Sequence, residues 1–209
     1  MNEPTANLAG FEREFLAMES DASRPYARFT YDTASVADQV RDLLFARRVG
    51  EFVPPAGKLL VIDGQPAGMV ACLTGAALKR ARLAAGAAVV RSGILSDAAI
   101  ARRIQLAATT LLKVAADDFY LSRIAVHDGF RGQGVGSALM EYVLQEAARA
   151  QSTRCVLEVA PEAAAAMALY RRHGFDEIGR VAVQDPESGR ALEYVHMQRQ
   201  IAAPPDSDV

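Results

Sequence analysis

Two short runs in this chain carry residue types whose spacing could do chemistry. The first is Arg131-Gly132-Gln133-Gly134-Val135-Gly136. Its glycines let a backbone turn tightly and approach a ligand with no Cβ in the way. An apolar stretch, Tyr120 to Val126, precedes it and reads as a buried strand. An amphipathic stretch from about Gly136 follows it, with Leu139, Val143 and Ala147 on one helical face. A strand, a glycine turn and a helix start together make an anion site. The first helical N–H groups have no intrahelical partner and lie at the positive end of the helix dipole. Two phosphate motifs do not fit: a dinucleotide fingerprint needs glycine where Ser137 stands, and a Walker loop needs Gly-Lys-Ser/Thr.

The second run is Leu169-Tyr170-Arg171-Arg172-His173-Gly174-Phe175. It places a phenol in the last turn of a helix that Gly174 would end as its C′ residue, with Phe175 packing back. Upstream, Arg154 to Val159 reads as a second buried strand, and Pro161 suits the first position of the helix. The order strand, turn, helix, strand, helix is that of a βαβα unit.

The first run matches the Q/R-x-x-G-x-G/A signature of the GNAT acyl-CoA-dependent N-acetyltransferases, and the second resembles that family's L-Y-x-x-x-G-F signature. Order and separation are the family's as well. The resemblance spans about Lys58 to Ile201, apart from a central segment. It implies an α/β fold: a mixed, mostly antiparallel central sheet with a splayed parallel strand pair and flanking helices. It implies acetyl-CoA as cosubstrate, no metal, and direct transfer of the acetyl group to a primary amine of a small molecule or a protein. Backbone groups of Ile124, Ala125 and Val126 would pair with the pantetheine. Arg131, Gly132, Gln133, Gly134, Val135, Gly136 and Ser137 would hold the pyrophosphate. Tyr170 would supply a proton to the leaving thiolate. Many relatives carry asparagine seven residues before the tyrosine, where this chain has Ala163. That departure keeps a second reading open, a catalytically idle acyl-CoA-binding or regulatory module.

No motif marks the base that must take a proton from the amine. Asp117 and Asp118 precede the central strand and Glu158 lies in the second; each could be the base or a structural carboxylate. His127 reads as a turn residue, and His196 could face the cleft.

The remaining elements must position these groups. The N-terminal residues 1–24 carry Leu8, Phe11, Phe15 and Met18 at helical spacing. They read as an extension that packs on the domain or makes a dimer contact. Residues 25–201 read as one acetyltransferase domain, and the tail 202–209 as disordered. Tyr26 to Tyr31 alternates weakly and reads as a first strand. Residues 33–48 read as a helix, and 49–57 as a loop in which Phe52 is either local packing or an acceptor contact. Residues 58–63 and 67–74 read as a hairpin, and 178–184 with 191–201 as another.

Between the first hairpin and the central strand, residues 75–116 form an insertion read as two helices. The second would be capped by Ser96 or Asp97 and would carry Ile100, Ile104, Leu111 and Val114 on its apolar face. Over 75–113 the only acidic residue is Asp97, against Lys79, Arg80, Arg82, Arg91, Arg102, Arg103 and Lys113. These are either solvated helix faces or a basic wall favouring anionic groups of acceptor or coenzyme.

The whole chain carries a formal charge of −2, so its total charge points to neither nucleic acid nor membrane. Cys72 and Cys155 fall in apparent strands and read as buried free thiols of a cytoplasmic protein.

Overall fold

The computed structural model describes residues 3–201; the expectation for 202–209 lies outside them. Six strands form one sheet in the order β1-β2-β3-β4-β6-β5. They are β1 (Gly57–Ile62), β2 (Gln65–Thr74), β3 (Asp118–Val126), β4 (Arg154–Val159), β5 (Asp176–Gln184) and β6 (Ala191–Gln200). Only β3 and β4 run parallel; every other neighbouring pair is antiparallel. This is the mixed, mostly antiparallel α/β architecture that the sequence implies.

Helices cover both faces. On one lie α6 (Val135–Arg149) and α7 (Ala164–Arg172). The stripe Leu139, Met140, Val143 and Ala147 of α6 is fully buried against Val70, Leu121, Leu157 and Met197. Each large side chain buried so completely contributes about 1.5–3 kcal/mol. The other face carries α1 (Glu12–Ala22), α2 (Arg24–Thr30) and α3 (Ala34–Ala46), then α4 (Gly75–Ser92) and α5 (Ala98–Ala108) of the insertion. Phe15 and Met18 of α1 pack on Leu59, Met69 and Ala71 of the sheet. Leu78 of α4 packs on Leu73, Tyr120 and Val156, and Phe29 of α2 meets Ala107 of α5 and Leu192 of β6. Among the described residues no helix is long and apolar enough to cross a membrane.

Three expectations need correction. Tyr26 to Tyr31 is not a strand: α2 occupies it, with Pro25 in its first turn, where the missing N–H costs nothing. The edge such a strand would pair with is already occupied, since Thr5 and Leu59 exchange two backbone hydrogen bonds of 2.8 Å. Pro161 does not open α7. It lies in a turn closed by Ala163 N–H to Ala160 C=O at 3.0 Å, and the helix starts at Ala164. The helix α5 stops at Ala108, before Leu111 and Val114. The hydroxyls of Thr109 and Thr110 donate to the carbonyls of Leu106 and Ala107 at 2.7 and 2.8 Å, satisfying the last turn. Asp97 is the N-cap, accepting from the amides of Ala99 and Ile100.

Candidate active site

The parallel ladder between β3 and β4 is short. It pairs Asp118–Leu121 with Arg154–Leu157 and then ends. Beyond it, β3 stays with β2 to Val126, and β4 stays with β6 to Val159. The two strands therefore part, and the β4-facing edge of Ser122–Val126 has no ladder to satisfy it. In a strand, alternate residues present N–H and C=O to the same side. The stretch containing Ile124, Ala125 and Val126 thus offers unspent backbone groups to an extended amide-bearing ligand.

At the far end of that edge lies the glycine turn. Gly134 is the N-cap of α6, in the left-handed region at φ 83°, and no side chain caps the helix. A Cβ at Gly132 or Gly134 would meet nothing within 4 Å, so the space in front of both is open. Gln133 ties the turn internally through Nε2 to the Gly129 carbonyl at 2.8 Å. Arg131 pairs with Asp128 at 2.7 Å on the surface. Gly136 does something different: a Cβ there would come within 3.3 Å of Leu169 Cδ2, so it lets α6 approach α7. Val135 is buried in the core and Ser137 is half-buried in the first turn. Uncapped amides, an open approach and a positive helix end fit the diphosphate of a coenzyme.

Beside the opening, Tyr170 projects from the last turn of α7 into the cluster that holds Leu121 and Leu157, its ring 6.0 Å from Phe175. Its hydroxyl has no hydrogen-bond partner among the described residues, and the residue is 5% exposed. The one fully enclosed side-chain polar atom without a partner there is Thr30 Oγ1. Burial pushes the Tyr170 phenol above its ordinary range, so it stays protonated at neutral pH.

The three candidate bases separate. Asp118 is 1% exposed and sits three residues before the opening. Its carboxylate accepts from Arg154 at 2.6 and 3.1 Å and from the Ala115 amide at 2.7 Å. It locks the start of the parallel pair. Asp117 is exposed beside Thr153. Glu158 follows Leu157, the last paired residue, and points to the face opposite Tyr170. One of its oxygens accepts from the Leu112 amide, and the other from the Tyr120 hydroxyl at 2.8 Å. Burial raises its proton affinity, and the Leu112 amide, Tyr120 and Arg82 partly offset that; the balance holds its pKa above the usual carboxylate range.

Sequence reading missed the groups behind Glu158. Arg82 of α4 donates to Tyr120 Oη at 3.2 Å and to Glu51 at 2.8 Å. Glu51 also accepts from Ser122 at 3.0 Å and Arg123 at 3.4 Å, and Arg123 reaches the buried Glu19 of α1 at 3.3 Å. Burial alone would push the Glu51 carboxyl up; Arg123 and Arg82 outweigh it and hold the group below the usual range. A bulge helps to assemble this chain. Ala71 pairs with Arg123 but Cys72 pairs with Leu121, so Ser122 is an extra residue and both it and Arg123 reach Glu51. One signal was available: Arg82 sits four residues after Leu78 and seven before Val89, both buried, so it is a cation on the apolar stripe of its helix.

Other insertion arginines are tied to the domain as well. Arg102 pairs with the fully buried Asp185 of the β5–β6 turn at 3.0 Å, and Arg103 donates to the Thr30 carbonyl at 2.9 Å and to Asp32 at 2.7 Å. These side chains staple the insertion to the domain, and neither alternative offered for them from sequence describes them. Phe52 is core, packed in the cluster of Phe15 and Leu59. His196 is buried, its Nε2 2.8 Å from the Thr110 carbonyl. Cys72 and Cys155 are buried free thiols; burial pushes Cys72 up to about 12 and Cys155 higher, so neither is a nucleophile at neutral pH. A groove of about 410 Å³ separates the α1–α2 corner at Arg24 and Arg28 from Arg131 and Glu162. A larger one, about 590 Å³, lies at the other end of β3, lined by Cys72 and Phe119 but by neither Tyr170, Glu158 nor the glycine turn.

The family model described as Acetyltransferase (GNAT) family matches residues 16–175. The [ribosomal protein bS18]-alanine N-acetyltransferase of Escherichia coli K12 is 37% identical over 73 residues, 35% of this chain and 49% of that protein. The Salmonella typhimurium protein of the same name is 36% identical over the same length. The chain thus spans about half the length of the curated relatives it matches. Among solved structures, an N-acetyltransferase from Staphylococcus aureus Mu50 superposes with a TM-score of 0.56 at 16% identity, covering 93% of this chain and 92% of that one. A ribosomal-protein-alanine N-acetyltransferase from Brucella melitensis gives 0.51 at 16% identity, covering 90% and 93%. These likenesses show the shared fold. The chain belongs to the GNAT acetyltransferase family.

Proposed function

We propose that this family member is an N-acetyltransferase that moves an acetyl group from acetyl-CoA to a primary amine by direct attack. Bound acetyl-CoA supplies an activated acyl thioester. The residues of the chain do the rest. Backbone amides of the turn from Gly132 to Ser137 hold the diphosphate, and the free edge of β3 at Ile124 to Val126 aligns the pantetheine. Glu158 takes the proton that the amine must lose, and the Tyr170 hydroxyl holds one for the departing sulfur. The observation that carries this reading is the placement of Glu158 and Tyr170. A carboxylate and a phenol flank the point where β3 and β4 part, one on each face of the sheet. A transfer passing between the strands needs a base on one side and an acid on the other.

The relatives named for a ribosomal-protein alanine make a protein amino group the first acceptor to try. The test is thiol release from acetyl-CoA with a panel of amines that includes alanine-initiated peptides and small primary amines. Acceptor-dependent release is expected with at least one. One observation favours the idle binding module: Ala163 leaves the start of α7 without a side-chain cap. Tight acetyl-CoA binding without release across the panel would establish that alternative.

A further inference from the structure

The insertion holds a group inside the site. Several elements present groups to Glu158. Tyr120 comes from β3, Arg82 from α4, Glu51 from the α3–β1 loop, and the Leu112 amide from the α5–β3 connection. On β6, Tyr194 stands nearby and His196 lies directly across the ladder, but the His196 imidazole is committed to the Thr110 carbonyl. Two of the contacts to the Glu158 carboxylate are hydrogen bonds, and both trace to the insertion. The Leu112 amide belongs to its exit. The other bond, from Tyr120, is governed by Arg82.

A phenol has one proton and can accept at its oxygen. The Arg82 guanidinium occupies that acceptor position at 3.2 Å and also lies over the Tyr120 ring, 5.2 Å from its centroid. With the cation there, the hydroxyl proton can point only away from it, toward Glu158 at 2.8 Å. Arg82 is itself fixed, because its Nε is spent on Glu51 at 2.8 Å, and Glu51 is held by Ser122 and Arg123. Rotamer and direction are thus set along the chain Glu51, Arg82, Tyr120, Glu158.

We propose that Arg82 is a positioning residue for the base: the insertion delivers it to commit the Tyr120 proton to Glu158, fixing the carboxylate for the amine. This rests on the reading of Glu158 as the base. Arg82 makes no hydrogen bond to Glu158; it acts through the Tyr120 hydroxyl and, as a nearby cation, through its charge. The insertion is therefore part of the catalytic machinery, not a cover over it.

The test needs no acceptor. The Glu158 carboxyl carbon is followed by NMR through a pH titration of full-length protein labelled with ¹³C-glutamate, its signal assigned by loss in Glu158→Gln. In Arg82→Met, the titration midpoint should move to higher pH by about one unit, a tenfold rise in proton affinity. Arg82→Lys should restore part of the shift. Tyr120→Phe leaves the Arg82–Glu51 pair in place and should move the midpoint in the same direction, so the test stands even if Arg82→Met folds poorly. The double variant should shift by less than the two single shifts together, because both act on the one Tyr120–Glu158 hydrogen bond. A merely structural role predicts the opposite sign: loosened packing admits water to Glu158 and lowers its midpoint. A midpoint that falls or stays put in both single variants overturns the inference. Full turnover in Glu158→Gln would overturn the reading of the base, and with it the catalytic role of Arg82, even if the midpoints shift as expected.

Discussion

The two sides of the opening between β3 and β4 are built in different ways. The side proposed to hold the coenzyme is made of backbone. Its working parts are the amides of the turn at the start of α6 and the free edge of β3, and side chains matter there mainly by their absence. Gly132 and Gly134 take φ values of 74° and 83° with open space where a Cβ would be. The side proposed to receive the acceptor is made of side chains drawn from four separate parts of the chain. Glu51, Arg82, Tyr120 and Glu158 meet only because a bulge in β3, an insertion helix and a loop converge. Recognition by backbone leaves a contiguous trace in sequence, because geometry over six residues suffices. Recognition by a buried side-chain chain leaves almost none, because each partner is ordinary in its local context.

This contrast can be broken by substitution, and the largest effect is expected at Glu158. Glu158→Gln should lower turnover about 10²- to 10⁴-fold, the range for losing a positioned base, with acetyl-CoA affinity by calorimetry unchanged. The comparison variant is Asp118→Ala, which leaves Arg154 without its carboxylate. It should cost about 1–3 kcal/mol in denaturant unfolding and leave turnover per folded molecule near the parent value. If Asp118→Ala abolishes turnover in folded protein while Glu158→Gln does not, the two roles are reversed.

Next comes Tyr170→Phe, expected to reduce turnover about ten- to a thousandfold. The hydroxyl has no hydrogen-bond partner among the described residues, so unfolding free energy should stay within about 0.5 kcal/mol. A loss of several kcal/mol would mean that the hydroxyl is a structural donor. On the coenzyme side, Gly134→Ala adds a methyl in the left-handed region, costing about 1 kcal/mol of stability. It also places a methyl in front of the turn, so calorimetry should show acetyl-CoA affinity reduced by about tenfold, or 1.4 kcal/mol. Ser137→Ala should do least, within about 0.5 kcal/mol in affinity and stability alike, because only its amide is used. A large effect there would show that the turn recognises by side chain, and would erase the contrast between the two sides.

The staple of the insertion gives a pH signature. Hydrogen bonds from Arg102 and then Ser188 hold the Asp185 carboxyl well below the usual carboxylate range. A depressed folded pKa contributes stability above the unfolded value of about 3.9, and that contribution is lost as pH falls. Asp185→Asn should therefore melt earlier than the parent at neutral pH, and the gap should close as the pH drops below about 4. A gap independent of pH would mean that the pair contributes through packing alone.

Legibility followed the same division. The strand from Arg154 to Val159 was read from sequence to the residue, and the α6 stripe Leu139, Val143, Ala147 is buried as its spacing requires. These are elements whose burial is set by their own periodicity. The segment from Tyr26 to Tyr31 was misread because six weakly alternating residues fit a strand or a short helix equally. What decided the matter was distant: Thr5 already occupies the β1 edge, and Phe29 finds Ala107 and Leu192. Glu158 could be named as a candidate but not separated from Asp118, since only the end of the ladder at Leu157 distinguishes them. Arg82 and Arg103 were left between solvated helix faces and a basic wall, although both stand on apolar stripes. A charge on the buried face of a helix is the sequence signal that would have singled them out.

The most direct test of a transfer that passes between the strands is a crystal structure of the protein with acetyl-CoA. The diphosphate should lie within hydrogen-bond distance of the first-turn amides of α6, and the thioester should sit past Leu121 and Leu157, with Glu158 on one side and Tyr170 on the other. A thioester seated elsewhere, or with both groups on one side of it, would contradict the proposed chemistry.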